Sequence, residues 1–149
     1  MKTTFFNIIL CIEHTYRLFL DNVKRELDLL GIYDINSAQA LMIYNLARQT
    51  VSVGELTSRR MYQGSNVSYN LKKLISTGYI LQTPSDHDRR SLHVCLSEKG
   101  VSLYDKIDQF VERQSQDVRP FLPGTKSLDA VYKNFQAFEN FWNGNTPRK

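Results

Sequence analysis

Sulfur is scarce in this chain of 149 residues, which has two cysteines, Cys11 and Cys95. They lie on segments of different kinds and form no Cys-x-x-Cys or Cys/His spacing suited to zinc. No metal site is expected, and a reducing cytoplasm is the simple reading. Long apolar runs are also missing. The stretch from Phe5 to Ile12 is interrupted by Asn7, is followed at once by Glu13 and His14, and lacks small residues for a signal cleavage site. It is too short to span a bilayer, so a cytoplasmic protein without membrane contact is expected. There is no Gly-rich phosphate loop, no distinctive carboxylate pair, and no nucleophile with a legible base. An enzyme is therefore not expected, nor a cofactor. Repeats and low-complexity linkers are lacking too. What remains is a chain with 42% apolar and 11% aromatic residues, enough to fill a core, which excludes disorder.

The net charge of +4, from 19 basic and 15 acidic residues, is modest. Its distribution says more. Between Val53 and Gly100 stand seven Lys or Arg (59, 60, 72, 73, 89, 90, 99) and four acids (55, 86, 88, 98), so this third carries +3 of the excess. Within it, Val67, Leu71 and Leu74 recur at helical spacing and mark an inward face. Ser65, Asn66, Ser68, Tyr69, Lys72 and Lys73 are left on the other. Gly78 ends this helix, and Tyr79 to Thr83 and Leu92 to Leu96 read as short strands. Between them, Pro84 to Ser91 forms a hairpin loop with Arg89 and Arg90 at its base.

Upstream, Asn36 with Gln39 resembles a capping box that opens a helix running to about Gln49, with Ala40, Leu41, Tyr44, Leu46 and Ala47 inward. Ser52 with Glu55 repeats the device for a helix from about Val53 to Met61. These two, the helix from Gly64 to Thr77 and the strand pair predict a mainly α fold, a winged helix-turn-helix with a small β-hairpin wing. A long first helix opens at Thr3 or Thr4 and closes at Gly31. Its seam is Ile9, Ile12, Tyr16, Phe19, Val23, Leu27 and Leu30, with further apolar residues off that seam. Ser97 caps a helix marked by Val101, Leu103, Tyr104, Ile107, Phe110, Val111 and Gln114 and broken near Pro120. A last helix, from about Lys126 to Trp142, has the aromatic face Leu128, Val131, Tyr132, Phe135, Phe138 and Trp142. We expect residues 1–34 and 101–149 to form a helical dimerisation region flanking a winged-helix region at 35–100, as one intimately packed unit. The alternative is a monomeric bundle.

Gly54-Glu55-Leu56, Asn66-Val67-Ser68, Lys73-Leu74, Thr77-Gly78-Tyr79-Ile80 and Asp88-Arg89-Arg90, followed by Val94 to Gly100, together resemble the MarR/SlyA family of bacterial regulators. The most specific part is Asp-x-Arg followed six residues later by Leu-Ser-x-x-Gly. The resemblance implies an obligate homodimer, a palindromic double-stranded DNA operator, and often a small-molecule or oxidant signal. Two departures stand out. The turn before the recognition helix is Met61-Tyr62-Gln63-Gly64, without the usual Pro, and Arg60 and Asn70 occupy positions that are usually apolar.

DNA contact is accordingly expected from Ser65, Asn66, Ser68, Tyr69, Lys72 and Lys73 on the helix and from Arg89 and Arg90 on the wing, with Asp88 orienting a guanidinium. Solvated polar surface is the competing explanation. A crevice bordered by His14, Arg17, Tyr33, Tyr44 and Arg59 would suit a small aromatic or anionic effector, although each of these also reads as an ordinary core or surface residue. Cys11, one turn before His14, is a candidate for redox sensing, against an inert Cys in an apolar helix. The expected function is sequence-specific transcriptional regulation, as a repressor. The alternatives are a winged-helix protein-interaction module or a redox regulator acting through Cys11.

Overall fold

The computed structural model describes residues 1–58, 66–84, 92–122 and 128–144. Helix α1 runs Lys2–Leu29, α2 Ser37–Leu46, α3 Val53–Ser58, α4 Val67–Ser76, α5 Glu98–Asp117 and α6 Leu128–Trp142, with a 3-10 turn at Arg119–Phe121. Strands β1 (Val51–Ser52), β2 (Ile80–Pro84) and β3 (Leu92–Leu96) make one antiparallel sheet in the order β1-β3-β2. This is the winged-helix arrangement the sequence predicts, with one addition. Val51 pairs with Val94, so the wing hairpin gains a third strand. The chain divides into two compact units, Met1–Gln109 and Phe110–Lys149.

In the first unit the local signals act as expected. Asn36 accepts the Gln39 backbone N–H at 2.9 Å and the Gln39 side chain accepts that of Asn36 at 3.0 Å, completing the capping box. Ser52 Oγ accepts the Glu55 N–H at 3.0 Å, just ahead of α3. Beyond α1, the N–H groups of Gly31 and Ile32 return to Asp28 and Leu27, and Gly31 takes φ +70°. A Schellman ending of this kind satisfies carbonyls that the helix leaves open. Helix α2 stops at Leu46, before the expected Gln49, because Ala47 leaves the helix with φ +53°. It is also more buried than expected. Met42 and Ile43 join Ala40, Leu41 and Leu46 in the core, while Tyr44 and Ala47 are only half-buried. A helix covered on nearly every side has no clear polar stripe, so periodicity under-reads it.

The core of this unit combines Val23 and Leu27 of α1, the α2 residues, Leu56 of α3, Val67, Leu71 and Leu74 of α4, Ile80 and Val94 of the sheet, and Leu103 and Ile107 of α5. Ser37 Oγ donates to the Leu20 carbonyl at 2.8 Å and ties the start of α2 to α1. Of the α1 seam only Val23 and Leu27 are buried, while Ile9, Phe19 and Leu30 are half-buried. Ile12 and Tyr16 are exposed, together with Phe5, Phe6, Leu10 and Leu18.

In the second unit, Phe110 is buried and α6 has no buried residue. Phe138 stacks on Trp142 with ring centroids 5.8 Å apart, and Phe141 meets Trp142 edge-on at 6.1 Å. Tyr132, Phe135, Phe141 and Trp142 are exposed. No described helix is long and apolar enough to cross a membrane.

Candidate nucleic-acid interface

Helix α4 owes its orientation to its own pattern. Val67, Leu71 and Leu74 are sunk in the core, which turns Ser68, Tyr69, Lys72 and Lys73 outward, and all four are exposed. Asn66 is the exposed N-cap and makes no capping bond with its side chain, so its amide stays available for a base edge or a phosphate. Ser65, Asp88, Arg89 and Arg90 lie outside the described residues, as does Arg59. The wing that carries the arginines is anchored by the β2–β3 register, in which Leu81 faces Cys95 and Thr83 faces His93.

Asn70, the polar residue at a usually apolar position, is half-buried, and its Oδ1 accepts the Gln39 Nε2 at 3.1 Å. Gln39 is 3% exposed. Its side chain thus closes the α2 capping box through the oxygen and holds α4 through the nitrogen, leaving neither end unsatisfied.

The far end of α4 is held by a joint that sequence reasoning only partly anticipated. Gly78 takes φ +79°, and the N–H groups of Gly78 and Tyr79 return to Ile75 and Leu74. Ser97 does more than cap α5. Its Oγ accepts the Gly100 N–H at 3.0 Å and donates to the Gly78 carbonyl at 2.6 Å, while its own N–H reaches the Tyr79 carbonyl at 3.0 Å. A Cβ on Gly100 would press on that same Tyr79 carbonyl oxygen, closer than 3.0 Å. This geometry gives the Leu-Ser-x-x-Gly run its physical meaning. Serine stitches strand to helix, and glycine lets them touch.

Lys99 and Asp34 complete the joint. Lys99 Nζ donates to Asp34 Oδ2 and to the Thr77 carbonyl, both at 2.9 Å, and stands 3.9 Å from the centre of the Tyr79 ring. The Tyr79 hydroxyl donates to Asp34 Oδ1 at 2.9 Å. Burial pushes the Asp34 carboxyl up, but the bonds from Lys99 and Tyr79 and the lysine charge outweigh it and hold the carboxyl below its ordinary value. Burial and the Asp34 carboxylate push the Tyr79 phenol up, and the bond to Asp34 raises Lys99. Nothing in local sequence pattern joins residues 34 and 99. The one hint was the Lys in the first turn of α5, where a cation is locally unfavourable.

The residues expected to line an effector crevice are distributed otherwise. His14 and Arg17 stand on the exposed stretch of α1, Arg17 paired with Glu13 at 3.3 Å. Tyr33 donates to the Asp28 carbonyl and lies near Lys24. Tyr44 stacks on Tyr104 with centroids 5.4 Å apart and donates to Asp108 at 3.1 Å. Arg48 pairs with Asp105 and lies over the Tyr104 ring at 5.9 Å. Aromatic and charged groups therefore gather where α2 meets α5, around Tyr44, and the sequence reading missed Arg48, Tyr104, Asp105 and Asp108. Cys11 is exposed, with Thr15 Oγ1 at 3.9 Å, and Cys95 is half-buried.

Comparison with known proteins agrees with this geometry. The MarR family model matches residues 33–91, from the α1–α2 connection to the residue before β3. The exopolysaccharide II synthesis transcriptional activator ExpG of Rhizobium meliloti (strain 1021) is 33% identical over 145 residues, covering 97% of this chain and 74% of its own length. Two solved structures share the fold. Staphylococcus aureus MarR in complex with salicylate and kanamycin matches with TM-score 0.73 at 22% identity, over 97% of this chain and 94% of its own. Streptococcus pneumoniae FabT in complex with DNA matches with TM-score 0.66 at 20% identity, over 93% and 95%. The capped α2–α4 head, the three-stranded wing, the family-model match and the 33% identity to a transcriptional activator over 97% of this chain lead to one conclusion: the chain belongs to the MarR family of DNA-binding, winged-helix transcriptional regulators.

Proposed function

We propose that this protein regulates transcription in the cytoplasm as a homodimer on a pseudo-palindromic operator, with α4 of each protomer in successive major grooves. The observation that carries the reading is the outward face of α4, where Asn66, Ser68, Tyr69, Lys72 and Lys73 stand clear of a core that fixes the opposite face. Asn66 and Ser68 suit base edges and the lysines suit phosphates. Arg89 and Arg90, which lie outside the described residues, are assigned to a neighbouring minor groove. Support for DNA as the ligand comes from FabT, which was solved with DNA.

Dimerisation rests on α6 and the start of α1. This fifteen-residue helix, α6, carries an aromatic stripe yet has no buried residue, and isolated helices of that length are marginal in water. A second copy supplies the missing cover. Residues 1–34 and 101–149 are assigned to that base and 35–100 to the reading head. Whether the bound dimer represses, as the sequence reading expected, or activates, as ExpG does, follows from where its operator lies relative to the promoter.

For the effector we place a small aromatic acid at the α2–α5 seam. Tyr44 and Tyr104 offer aromatic faces there, and Arg48 offers a cation already engaged by Asp105. Salicylate in S. aureus MarR is a ligand of this chemical class.

Enrichment of bound duplexes from a random library, with sedimentation of the free protein at micromolar concentration, tests the proposal. We expect a dimer and a two-fold symmetric motif with half-sites ~10 bp apart. Binding should weaken steeply with salt as phosphate counterions are released, which docking onto another protein would not reproduce. A well-behaved monomer that binds a single asymmetric site at full affinity would refute the reading.

A further inference from the structure

Lys99 is badly placed for its own helix. It occupies the first turn of α5, where the positive end of the helix dipole repels a cation. The same ammonium is well placed for α4. It reaches the carbonyl of Thr77, the C-cap of that helix, where the dipole is negative and carbonyls lack helical partners. Such a conflict between local preference and observed position is a mark of a role elsewhere.

The role is set by what else Lys99 touches. Asp34, in the connection between α1 and α2, takes one carboxylate oxygen to Lys99 and the other to the hydroxyl of Tyr79, a residue only 2% exposed. The Lys99 ammonium lies against the Tyr79 ring, and Tyr79 directly precedes β2. One cation therefore meets the end of the recognition helix, the root of the wing and the α1–α2 connection, segments that local structure alone would leave independent.

We propose that Lys99 is a positioning residue for DNA binding: clamped by Asp34, it holds the C-terminal carbonyl of α4 and fixes the seat of the recognition helix against the wing. The inference deepens the DNA-binding reading and rests on it. Lys99 acts through α4 and does not touch DNA. Both partners are about half exposed, with side-chain accessibilities of 50% and 43%, so the clamp is modest. Each head should lose about two- to fivefold in affinity when the pair is broken, the upper range for partly exposed ion pairs. A dimer engaging two half-sites should lose roughly four- to twenty-five-fold.

Asp34→Asn gives a test with a sign that simple electrostatics does not share. Removing an acid from a DNA-binding protein should tighten binding if only net charge matters. Positioning requires it to weaken. Affinity of the full chain for the best duplex recovered by library enrichment is measured across a salt series for the parent, Asp34→Asn, Lys99→Met and the double variant. Thermal melts confirm that each is folded at the binding temperature. We expect both single variants to bind more weakly with the salt slope of the parent, and the double variant to bind no more weakly than the weaker single, because the Asp34–Lys99 pair is lost in all three. Asp34→Asn binding as tightly as the parent, or tighter, overturns the proposal. A Lys99→Met slope lower by about one per head would make Lys99 a phosphate contact, which also overturns it. A parent that binds no duplex removes the DNA-binding reading itself, and this inference with it.

Discussion

Replacing Gly100 with alanine should destabilise the protein, although the usual rule for glycine in a helix points the other way. Gly100 lies in the first turns of α5, where Gly→Ala ordinarily stabilises a helix by about 1 kcal/mol. Here the added methyl would meet the Tyr79 carbonyl oxygen inside 3.0 Å and the Tyr79 carbonyl carbon and Leu96 Cβ at 3.2 Å. That oxygen belongs to backbone and accepts the Ser97 N–H, so it cannot swing aside as a flexible side chain would. Overpacking of this kind costs about 1–3 kcal/mol, and the loss of one backbone hydrogen bond adds about 1 kcal/mol. Against the propensity gain, the net loss is about 1–3 kcal/mol. Urea denaturation at one fixed protein concentration reads it directly. With a slope of about 2 kcal/mol per molar, the midpoint should fall by roughly 0.5–1.5 M. Gly54→Ala is the control, because its Cβ would come no nearer than 3.9 Å to Ser52 Oγ. A Gly100→Ala midpoint at or above that of the parent would refute the close-approach account of the Ser-x-x-Gly run.

Asn70→Leu, which restores the usual apolar residue, should cost about 1–3 kcal/mol in the same assay by leaving the buried Gln39 amide unpaired, and adding Gln39→Leu should not deepen the loss additively. Because the Asp34 carboxyl is held below its ordinary value, its contribution to stability should be complete above the unfolded value of about 4. It should then be lost as pH falls through the lower folded value, so the stability gap between the parent and Asp34→Asn should close in acid. Lys72→Ala should weaken binding to all duplexes alike and lower the salt slope by about one per bound head, read by fluorescence anisotropy.

Much of the fold was legible because its signals are local. The Asn36–Gln39 box, the Ser52–Glu55 cap, the turn at Gly78 and the Ser97 cap each act over three or four residues, within reach of sequence pattern. The outward face of α4 was legible for the same reason, since three buried residues at helical spacing fix where the rest must point. Strand β1 was not, because two residues carry no alternation and depend wholly on β3 for pairing. Burial of Met42 and Ile43 escaped notice because α2 is covered on several sides. The decisive side-chain pairs are separated by 31 residues for Gln39–Asn70 and 65 for Asp34–Lys99, and no local rule connects them. Tyr44 was expected beside the first helix, and it lies instead against α5. The α5 partners, 57 and 64 positions on in their bonds to Arg48 and Tyr44, come together with α2 only through tertiary packing.

The order of the sheet bears on how copies of this chain avoid the wrong kind of association. An open strand edge is a template for adding another strand, and long flat edges invite aggregation. Here the central strand is β3, paired on both sides, and the edges fall to β1 and β2. The first is only two residues long, too short to template a neighbour. The second ends at Pro84, which has no N–H to offer an incoming chain. Both edges are blunted, so growth of the wing into an intermolecular sheet is disfavoured.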